Sequence, residues 1–295
     1  MWRVTAKDWP GSALSAKLIS TMAYLGIDIG GTKTLVCRLS DDGQILTQDK
    51  FATPHDYKEF TEQLRQTVET IDLSDVIAVG VGAPGVLDRD NNLVTSFGNL
   101  PWKNVPIRPD VAQILNKPTV IENDAKLAGL YEAVLLKDRY DRVLYITIST
   151  GIGLGLTVDG VIQHDVRDEG GLSMIYEHNG ELQAWEKFAS GRAIFEEFGQ
   201  RASDIADPAI WQEVSRRLVP GFTELITLLT PDVITIGGGV GAHYEKFEHI
   251  FEPLLEQYLT PDIKRPDIIK AANAEEAVIL GCHELAKQTY GTQTH

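Results

Sequence analysis

Short runs of apolar residues alternate with glycine-rich turns from Tyr24 onward, and stretches with apolar positions at helical spacing lie between them. Apolar runs bounded by turn residues predict buried β-strands, whereas a helical period predicts amphipathic helices. The predicted strands are 24–29, 34–39, one that starts at Gln44, 76–81, 118–121, 143–149, 154–158 and 232–236. One predicted helix starts at Tyr57 and another at Asn123-Asp124. Further predicted helices extend from Gln183 to Phe198, from Pro208 to Leu229 and over 274–289.

The same order of elements occurs twice. Residues 24–45 predict strand, glycine turn, strand, aspartate-glycine turn and strand, and residues 143–162 predict the same series. A repeated order of this kind indicates a duplicated core. We therefore predict two α/β lobes with a cleft between them, where small ligands usually bind. The predicted division is a tail of residues 1–23, a first lobe of residues 24–121 completed by helix 274–289, and a second lobe of residues 122–273.

Composition and charge exclude several classes of protein. The 295 residues are 43% hydrophobic, and 42 acidic residues against 27 basic ones give a net charge of −15. Nucleic acids and anionic membranes attract basic surfaces, so we expect neither as a partner. Two cysteines, Cys37 and Cys282, are too few for a disulfide framework or a cysteine-based zinc site. No apolar run could span a bilayer and none before Met22 is typical of a secretory signal, so we expect a cytoplasmic protein with reduced thiols.

Three glycine-rich loops are candidates for phosphate binding: residues 28–33, 149–153 and 237–241. Glycine allows the backbone to approach an anion and to direct several N–H groups at it. None has the spacing of a P-loop or a dinucleotide-binding turn. Hairpins also need glycine for their turns, which remains an alternative for any one loop. Three such loops in one chain, two of them in repeated positions, favour a ligand.

Two carboxylates lie where chemistry is expected. Asp28 interrupts an apolar strand beside the first loop, which suggests a bound magnesium ion, since phosphates and water supply most ligands of that ion. An aspartate that bonds the adjacent turn is the alternative. Asn123-Asp124 lies between a strand and a helix, where it serves either as a helix cap or as a proton acceptor for a substrate hydroxyl group. The pattern leaves both open.

The remaining candidates indicate packing rather than chemistry. The seven histidines show no metal-type spacing. Trp185, Phe188 and Phe195 fall at helical spacing and are predicted to belong to the core.

The chain resembles the ROK (repressor, open reading frame, kinase) sugar kinases, which have the actin-like ATPase fold. The resemblance extends from Tyr24 to Ala286. It depends on Leu25-Gly26-Ile27-Asp28-Ile29-Gly30-Gly31-Thr32-Lys33, Gly82-Ala83-Pro84-Gly85-Val86-Leu87-Asp88, Asn99-Leu100-Pro101-Trp102, Glu122-Asn123-Asp124-Ala125, Thr150-Gly151-Ile152-Gly153 and Gly237-Gly238-Gly239-Val240. The implied fold is α/β, two-lobed and ribonuclease H-like, with a duplicated βββαβα core and an interdomain cleft.

The resemblance implies an ATP-dependent kinase that phosphorylates a hydroxyl group of a hexose, with Asp124 as general base. Asp28 would hold Mg²⁺, largely through water. The implied nucleotide and phosphate ligands are Gly30, Gly31, Thr32, Lys33, Thr150, Gly151, Gly153, Gly237, Gly238 and Gly239. The implied sugar ligands are Gly85, Asn99, Asn123, Asp124, Glu169 and Glu186. Lys33 is also consistent with a solvated lysine on an edge strand.

One region departs from the family pattern. Glu169-Gly170-Gly171-Leu172 carries leucine where the family has a sugar-binding histidine. Residues 184–191 keep Glu186 and the Ala-Ser-Gly ending but lack the family's zinc-binding cysteine, so no zinc is expected. With this contact changed, the pattern specifies neither the sugar nor the hydroxyl group.

Two alternatives remain open from the sequence. The first is a polyphosphate-dependent glucokinase, for which Lys264, Arg265 and Lys270 offer a local basic patch. The second is a non-catalytic sugar sensor, although too few residues precede the first strand for the DNA-binding domain of the family's transcription factors. The resemblance also implies a homodimer or a larger homo-oligomer.

Overall fold

The computed structural model describes residues 22–272 and 276–291. These residues form two compact units, of which the first comprises 22–122 with 282–291 and the second comprises 123–281. Most of the predicted tail, residues 1–21, lies outside the described residues, as do residues 274 and 275 of the predicted last helix.

Fourteen strands and nine α-helices make up the two units within the described ranges. The strands are β1 (Ala23–Ile29), β2 (Lys33–Ser40), β3 (Ile45–Ala52), β4 (Val76–Ala83), β5 (Val86–Asp88), β6 (Leu93–Ser96), β7 (Thr119–Asn123), β8 (Arg142–Ile148), β9 (Ile152–Val158), β10 (Val161–Gln163), β11 (Ile175–His178), β12 (Glu181–Ala184), β13 (Val233–Gly237) and β14 (Asp267–Lys270). The helices are α1 (Tyr57–Val68), α2 (Ile107–Leu115), α3 (Asp124–Leu136), α4 (Trp185–Ala189), α5 (Gly191–Phe198), α6 (Pro208–Leu229), α7 (Gly238–Gly241), α8 (Glu248–Glu256) and α9 (Ala277–Tyr290).

Each unit is built on a five-stranded sheet, and the two sheets have the same plan. The first has the order β3-β2-β1-β4-β7 and the second β10-β9-β8-β13-β14. In both, the first three strands form an antiparallel meander, and the next strand pairs in parallel with the first. The prediction of a duplicated α/β core is confirmed.

The apolar pattern accounts for the cores. β1 is buried almost throughout, because its neighbours β2 and β4 pair on both edges and apolar side chains pack against it. Helix α1 buries Phe60, Leu64 and Val68 along one face, and Asp56 caps its first turn by accepting a hydrogen bond from Glu59 N. In the second unit, α6 and α8 bury their apolar faces in one cluster with β8, β9 and β13. Burial of these apolar side chains is the main stabilising contribution.

The structure corrects two sequence expectations. Residues 183–198 are not one helix, because Ala184 and Ser190 both adopt extended backbone angles and divide the segment into β12, α4 and α5. The Ser190 side chain then caps α5, which explains the break. Trp185 and Phe188 are buried as predicted, but Phe195 on α5 is 49% exposed.

None of the helices in residues 22–272 and 276–291 combines the length and apolar character needed to cross a membrane. Cys37 and Cys282 are both buried, and neither forms a disulfide bond within the described residues.

Candidate active site

The first predicted phosphate loop forms a tight turn between β1 and β2. Gly30 N donates a hydrogen bond to Lys33 O at 2.9 Å, and a Cβ atom at Gly30 would lie only 2.8 Å from the same carbonyl oxygen. The Thr53 hydroxyl group holds the turn from the other side by donating to Gly30 O at 2.8 Å. Thr32 and Lys33 are exposed at the end of the turn.

Asn99 lies directly against this turn. A Cβ atom at Gly31 would approach the Cβ atom of Asn99 to 2.8 Å, so glycine is what allows the two segments to meet. The segment with Asn99 is anchored by Trp102, which packs against Phe97 at 5.2 Å between ring centroids. Gly85 approaches the same segment, with a left-handed φ of 114° and a position for Cβ only 2.9 Å from the Ser96 carbonyl carbon. The first unit thus brings together three predicted ligand residues.

Asp28, at the end of β1 beside this turn, is partly exposed. Within residues 22–272 and 276–291, no group of three or more histidine, cysteine or acidic side chains could form a metal cage. A single carboxylate beside a predicted phosphate loop is compatible with Mg²⁺, which needs few protein ligands when phosphate and water complete its shell. The fit is poor for a structural zinc ion, which takes four protein ligands.

In the second unit, the start of α3 separates the two roles that the sequence left open. Asn123 is the helix cap, since its Oδ1 atom accepts hydrogen bonds from Ala125 N at 3.0 Å and Lys126 N at 3.3 Å. Asp124 is the first helical residue and accepts from Ala125 N at 2.8 Å. Burial, with a smaller contribution from the charge of Asp168, raises the pKa of the Asp124 carboxyl to about 6. A carboxylate with that pKa suits general base catalysis near neutral pH.

Glycines on β9 allow α3 to pack closely on that strand. A Cβ atom at Gly153 would lie 2.8 Å from the Cβ atom of Ala125, and one at Gly155 would lie 2.6 Å from Ala125 O. Packing therefore requires glycine at position 153, whatever its part in binding phosphate.

Two of the predicted acidic sugar ligands of this unit, Glu169 and Glu186, lie beside the start of β9. Glu186 on α4 accepts a hydrogen bond from Ile152 N at 2.8 Å, and a Cβ atom at Gly151 would lie 2.8 Å from the Glu186 carboxyl carbon. Glu169 leads into a 3₁₀ turn (Gly170–Leu172) in which Gly171 packs against Ile152 and Glu186.

A cavity of about 700 Å³ lies between the second and third predicted loops. Its lining consists of Ser149, Thr150, Gly191, Arg192, Phe195, Arg201, Ala202, Ser203, Gly239, Val240, Ala242 and His243. The sequence pattern gave no binding role to Arg192, Phe195 or Arg201, and Phe195 carried no such signal because its spacing matched that of Trp185 and Phe188. Another cavity, of about 730 Å³, is lined by α6 and α8 and contains no predicted site residue.

The three glycines of the third loop differ in their surroundings. A Cβ atom at Gly237 would lie 2.8 Å from the Tyr145 ring, and Gly238 has a φ of 77° with its Cβ position 2.6 Å from Ile148 O. Both are therefore required by the fold. Around Gly239, by contrast, no protein atom lies within 4 Å of a Cβ position, so packing leaves room there for a side chain or a ligand.

The two segments that depart from the family pattern lie on either side of the β11–β12 hairpin. Leu172 is 44% exposed at the end of the 3₁₀ turn. His178 on β11 stacks on Phe188 with ring centroids 4.4 Å apart, so it serves packing.

The sequence profile of the ROK family matches residues 24–289. A glucokinase from Streptomyces coelicolor is 25% identical over 90% of this chain and 97% of its own length. Among solved structures, a ROK hexokinase from Thermus thermophilus superimposes with a TM-score of 0.75 at 25% identity, covering 91% of this chain and 99% of the other. A ROK glucokinase from Streptomyces griseus in complex with glucose and AMPPNP gives a TM-score of 0.74 at 25% identity, covering 90% and 99%.

Proposed function

The chain belongs to the ROK family, and we propose that it is a carbohydrate kinase that transfers the γ-phosphate of ATP to a hydroxyl group of a hexose. The observation that carries the proposal is the Asp124 carboxylate, whose pKa burial raises to about 6 at the start of α3. The similarity to a glucokinase whose structure contains glucose and the ATP analogue AMPPNP supports the same conclusion.

Asp124 is the proposed general base. As a sugar oxygen forms its bond to the γ-phosphorus atom and the bond to the ADP oxygen breaks, the hydroxyl proton passes to the Asp124 carboxylate. Phosphoryl transfer depends mainly on positioning and charge stabilisation, so the groups that hold both substrates matter as much as the base.

The nucleotide is proposed to occupy the cavity beside Thr150 and Gly239. The open space at Gly239 supports close approach of a ligand to the backbone, and the exposed ring of Phe195 offers a face for an adenine base. Arg192 is suited to interact with phosphate oxygens. The Gly30 turn, with the backbone N–H group of Gly31, the Thr32 hydroxyl group and Lys33, is proposed as a further phosphate site. The Gly30 N–H group itself closes the turn onto Lys33 O. Gly151, Gly153, Gly237 and Gly238 are proposed as backbone contributors.

Asp28 is the proposed magnesium ligand, acting largely through water. Bound Mg²⁺ would neutralise phosphate charge during transfer. The role of the chain here is to hold one carboxylate beside the Gly30 turn.

The proposed sugar ligands are Gly85, Asn99, Asn123, Glu169 and Glu186. Carboxylate and amide oxygens accept hydrogen bonds from sugar hydroxyl groups. Leu172 adds an apolar surface where the family has histidine, which makes the choice of sugar the first question for experiment. A homodimer or larger homo-oligomer in the cytoplasm is proposed by analogy with the family, and two buried cysteines without a disulfide bond are consistent with that compartment.

Neither alternative is favoured. A polyphosphate chain requires an exposed basic surface. In the candidate patch of Lys264, Arg265 and Lys270, however, Arg265 pairs with Glu252 and Lys270 pairs with Glu245, and the net charge of the chain is −15. A sugar sensor has no need for a carboxylate with a pKa near 6 at the base position.

The test is ADP release from ATP and Mg²⁺ across hexoses, amino sugars and N-acetylated sugars, with polyphosphate as a second donor. We expect turnover of at least one sugar with ATP, and loss of that turnover in Asp124→Asn. A folded wild-type protein inactive with every sugar and ATP would contradict the proposal, and activity with polyphosphate alone would replace the donor. Leu172→His in the same panel tests whether the leucine selects the sugar.

A further inference from the structure

A buried ion pair between Lys126 and Asp168 lies near Asp124 and takes no part in the proposed phosphoryl transfer. Lys126, in the first turn of α3, is only 1% exposed. Its Nζ atom donates to Val166 O at 2.5 Å and lies 2.8 Å from Oδ1 of Asp168. The Asp168 side chain is only 4% exposed, so both charges are removed from water.

Stability alone does not account for this pair. Removing two charges from water carries a desolvation cost that often equals or exceeds their attraction, and apolar residues of similar volume are frequently as stable. Buried charged pairs can instead define a single arrangement of the segments that carry them, since only one geometry satisfies both partners.

The two segments that the pair connects are those that carry the proposed chemistry. Lys126 follows Asp124 by two positions on α3, and Asp168 directly precedes Glu169. The loop then closes onto β9, where Gly170 has a φ of 54° and lies against Ile152 and Gly153. One ammonium group therefore fixes the loop of the proposed sugar ligand Glu169 to the helix of the proposed base.

We propose that Lys126 and Asp168 are positioning residues that hold Glu169 at a fixed place relative to Asp124, so that the sugar hydroxyl group meets the base. This inference rests on the proposed function. The pair acts through Glu169 and Asp124 and does not itself touch the substrates.

The charges of the pair give a second, independent readout. The charge of Asp168 contributes to the raised pKa of Asp124. The phenol group of Tyr145 on β8 also interacts with the Asp124 carboxylate. The other charged groups near the pair are Arg167 and Glu169, which pair on the adjoining loop, Glu186 on α4 and Glu132 on α3, whereas β9 and β10 carry no ionisable side chain. Removing the negative charge of Asp168 should lower the pKa of Asp124, and removing the positive charge of Lys126 should raise it.

The experiment compares Asp168→Asn, Lys126→Met and the apolar double variant Lys126→Met/Asp168→Leu with the wild-type protein. The matched control is Arg38→Met/Asp75→Leu, which removes an ion pair of the first unit. For the folded double variant we expect a rise in sugar KM and a fall in kcat of roughly tenfold each, with the KM for ATP within about twofold of wild type. The control should match the wild type in all three constants.

The single variants test the inference even if the double variant does not fold. In pH profiles of kcat/KM, the acid limb should move to lower pH in Asp168→Asn and to higher pH in Lys126→Met. Limbs that move in the same direction or stay unchanged would overturn the inference, as would a folded double variant with wild-type kcat and sugar KM. A wild-type protein that phosphorylates no sugar would overturn the proposed function along with it.

Discussion

Each copy of the duplicated core places a predicted sugar ligand against the turn between its first two strands. The two ligands differ in charge. In the first unit, the turn between β1 and β2 meets the uncharged side chain of Asn99 at Gly31. In the second, the turn between β8 and β9 meets the carboxylate of Glu186, which accepts a hydrogen bond from Ile152 N. The comparison teaches that strand order is repeated, whereas the chemistry depends on the segments added after each hairpin.

The second unit also carries the buried charges near the turn. Asp124, Lys126 and Asp168 lie together at the start of α3, which follows the first sheet in sequence but packs on β8 and β9. The first unit contributes an exposed threonine and lysine at its turn. We therefore expect substitutions in the second unit to affect catalysis more than equivalent ones in the first.

The largest difference is expected between Glu186→Ala and Asn99→Ala. Charged acceptors form stronger hydrogen bonds than neutral ones, and Glu186 also holds the Ile152 backbone, so its loss should lower kcat/KM for the sugar about 100-fold, against about tenfold for Asn99→Ala. Steady-state kinetics with the best sugar of the panel measures both.

The exposed residue Glu181 on β12 provides the control for that comparison, and Glu181→Ala should leave kcat/KM unchanged. Equal losses for Glu186→Ala and Asn99→Ala would remove the contrast between the units.

Alanine at the two turn glycines should separate function from stability. At Gly151 the added methyl group meets the flexible end of Glu186, so Gly151→Ala should raise the sugar KM about tenfold while unfolding at nearly the wild-type urea concentration. At Gly31 it meets the Cβ atom of Asn99, which cannot move without its backbone, so Gly31→Ala should lose about 1–2 kcal/mol of stability. Urea denaturation and kinetics on the two variants check this, and the reverse ranking would contradict it.

A smaller effect on folding is expected from Asp124 itself. Because burial raises the pKa of its carboxyl to about 6, the folded protein holds this proton more tightly than the unfolded chain. The stability that results is present at low pH and is lost as the pH rises through about 6. Asp124→Asn does not ionise, so at pH 8 it should be more stable than wild type by about 1–2 kcal/mol, allowing for partial solvent screening, and nearly equal at about pH 3, below the pKa of the unfolded chain. Urea denaturation at the two pH values measures this, and the same difference at both would contradict it.

The sequence was sufficient for the repeated fold because strands such as β1 and β8 are apolar runs ended by glycine turns. It was not sufficient at Ser190, where apolar residues keep a helical spacing on both sides of a break in the backbone. A capping hydrogen bond of Ser190 ends one helix and starts the next, and such a local bond leaves no trace in the apolar pattern.

The candidate site shows the same limit. Motif order predicted Asp124, Glu169 and Glu186 as site residues, but nothing in the sequence pattern drew attention to Lys126. Its burial depends on Asp168, far along the chain, and only the folded structure brings the two together. Phe195 was predicted to be buried because its spacing matched Trp185 and Phe188, whereas the break at Ser190 turns it outward.

The most direct test of the account is the turnover of Asp124→Asn, measured together with its affinity for the sugar. Asparagine keeps the shape of the side chain and removes its ability to accept a proton. We predict that kcat falls by about 10²–10⁴-fold, whereas the sugar Kd from titration calorimetry stays within about fivefold of wild type. An Asp124→Asn protein that binds the sugar and retains wild-type kcat would contradict the account.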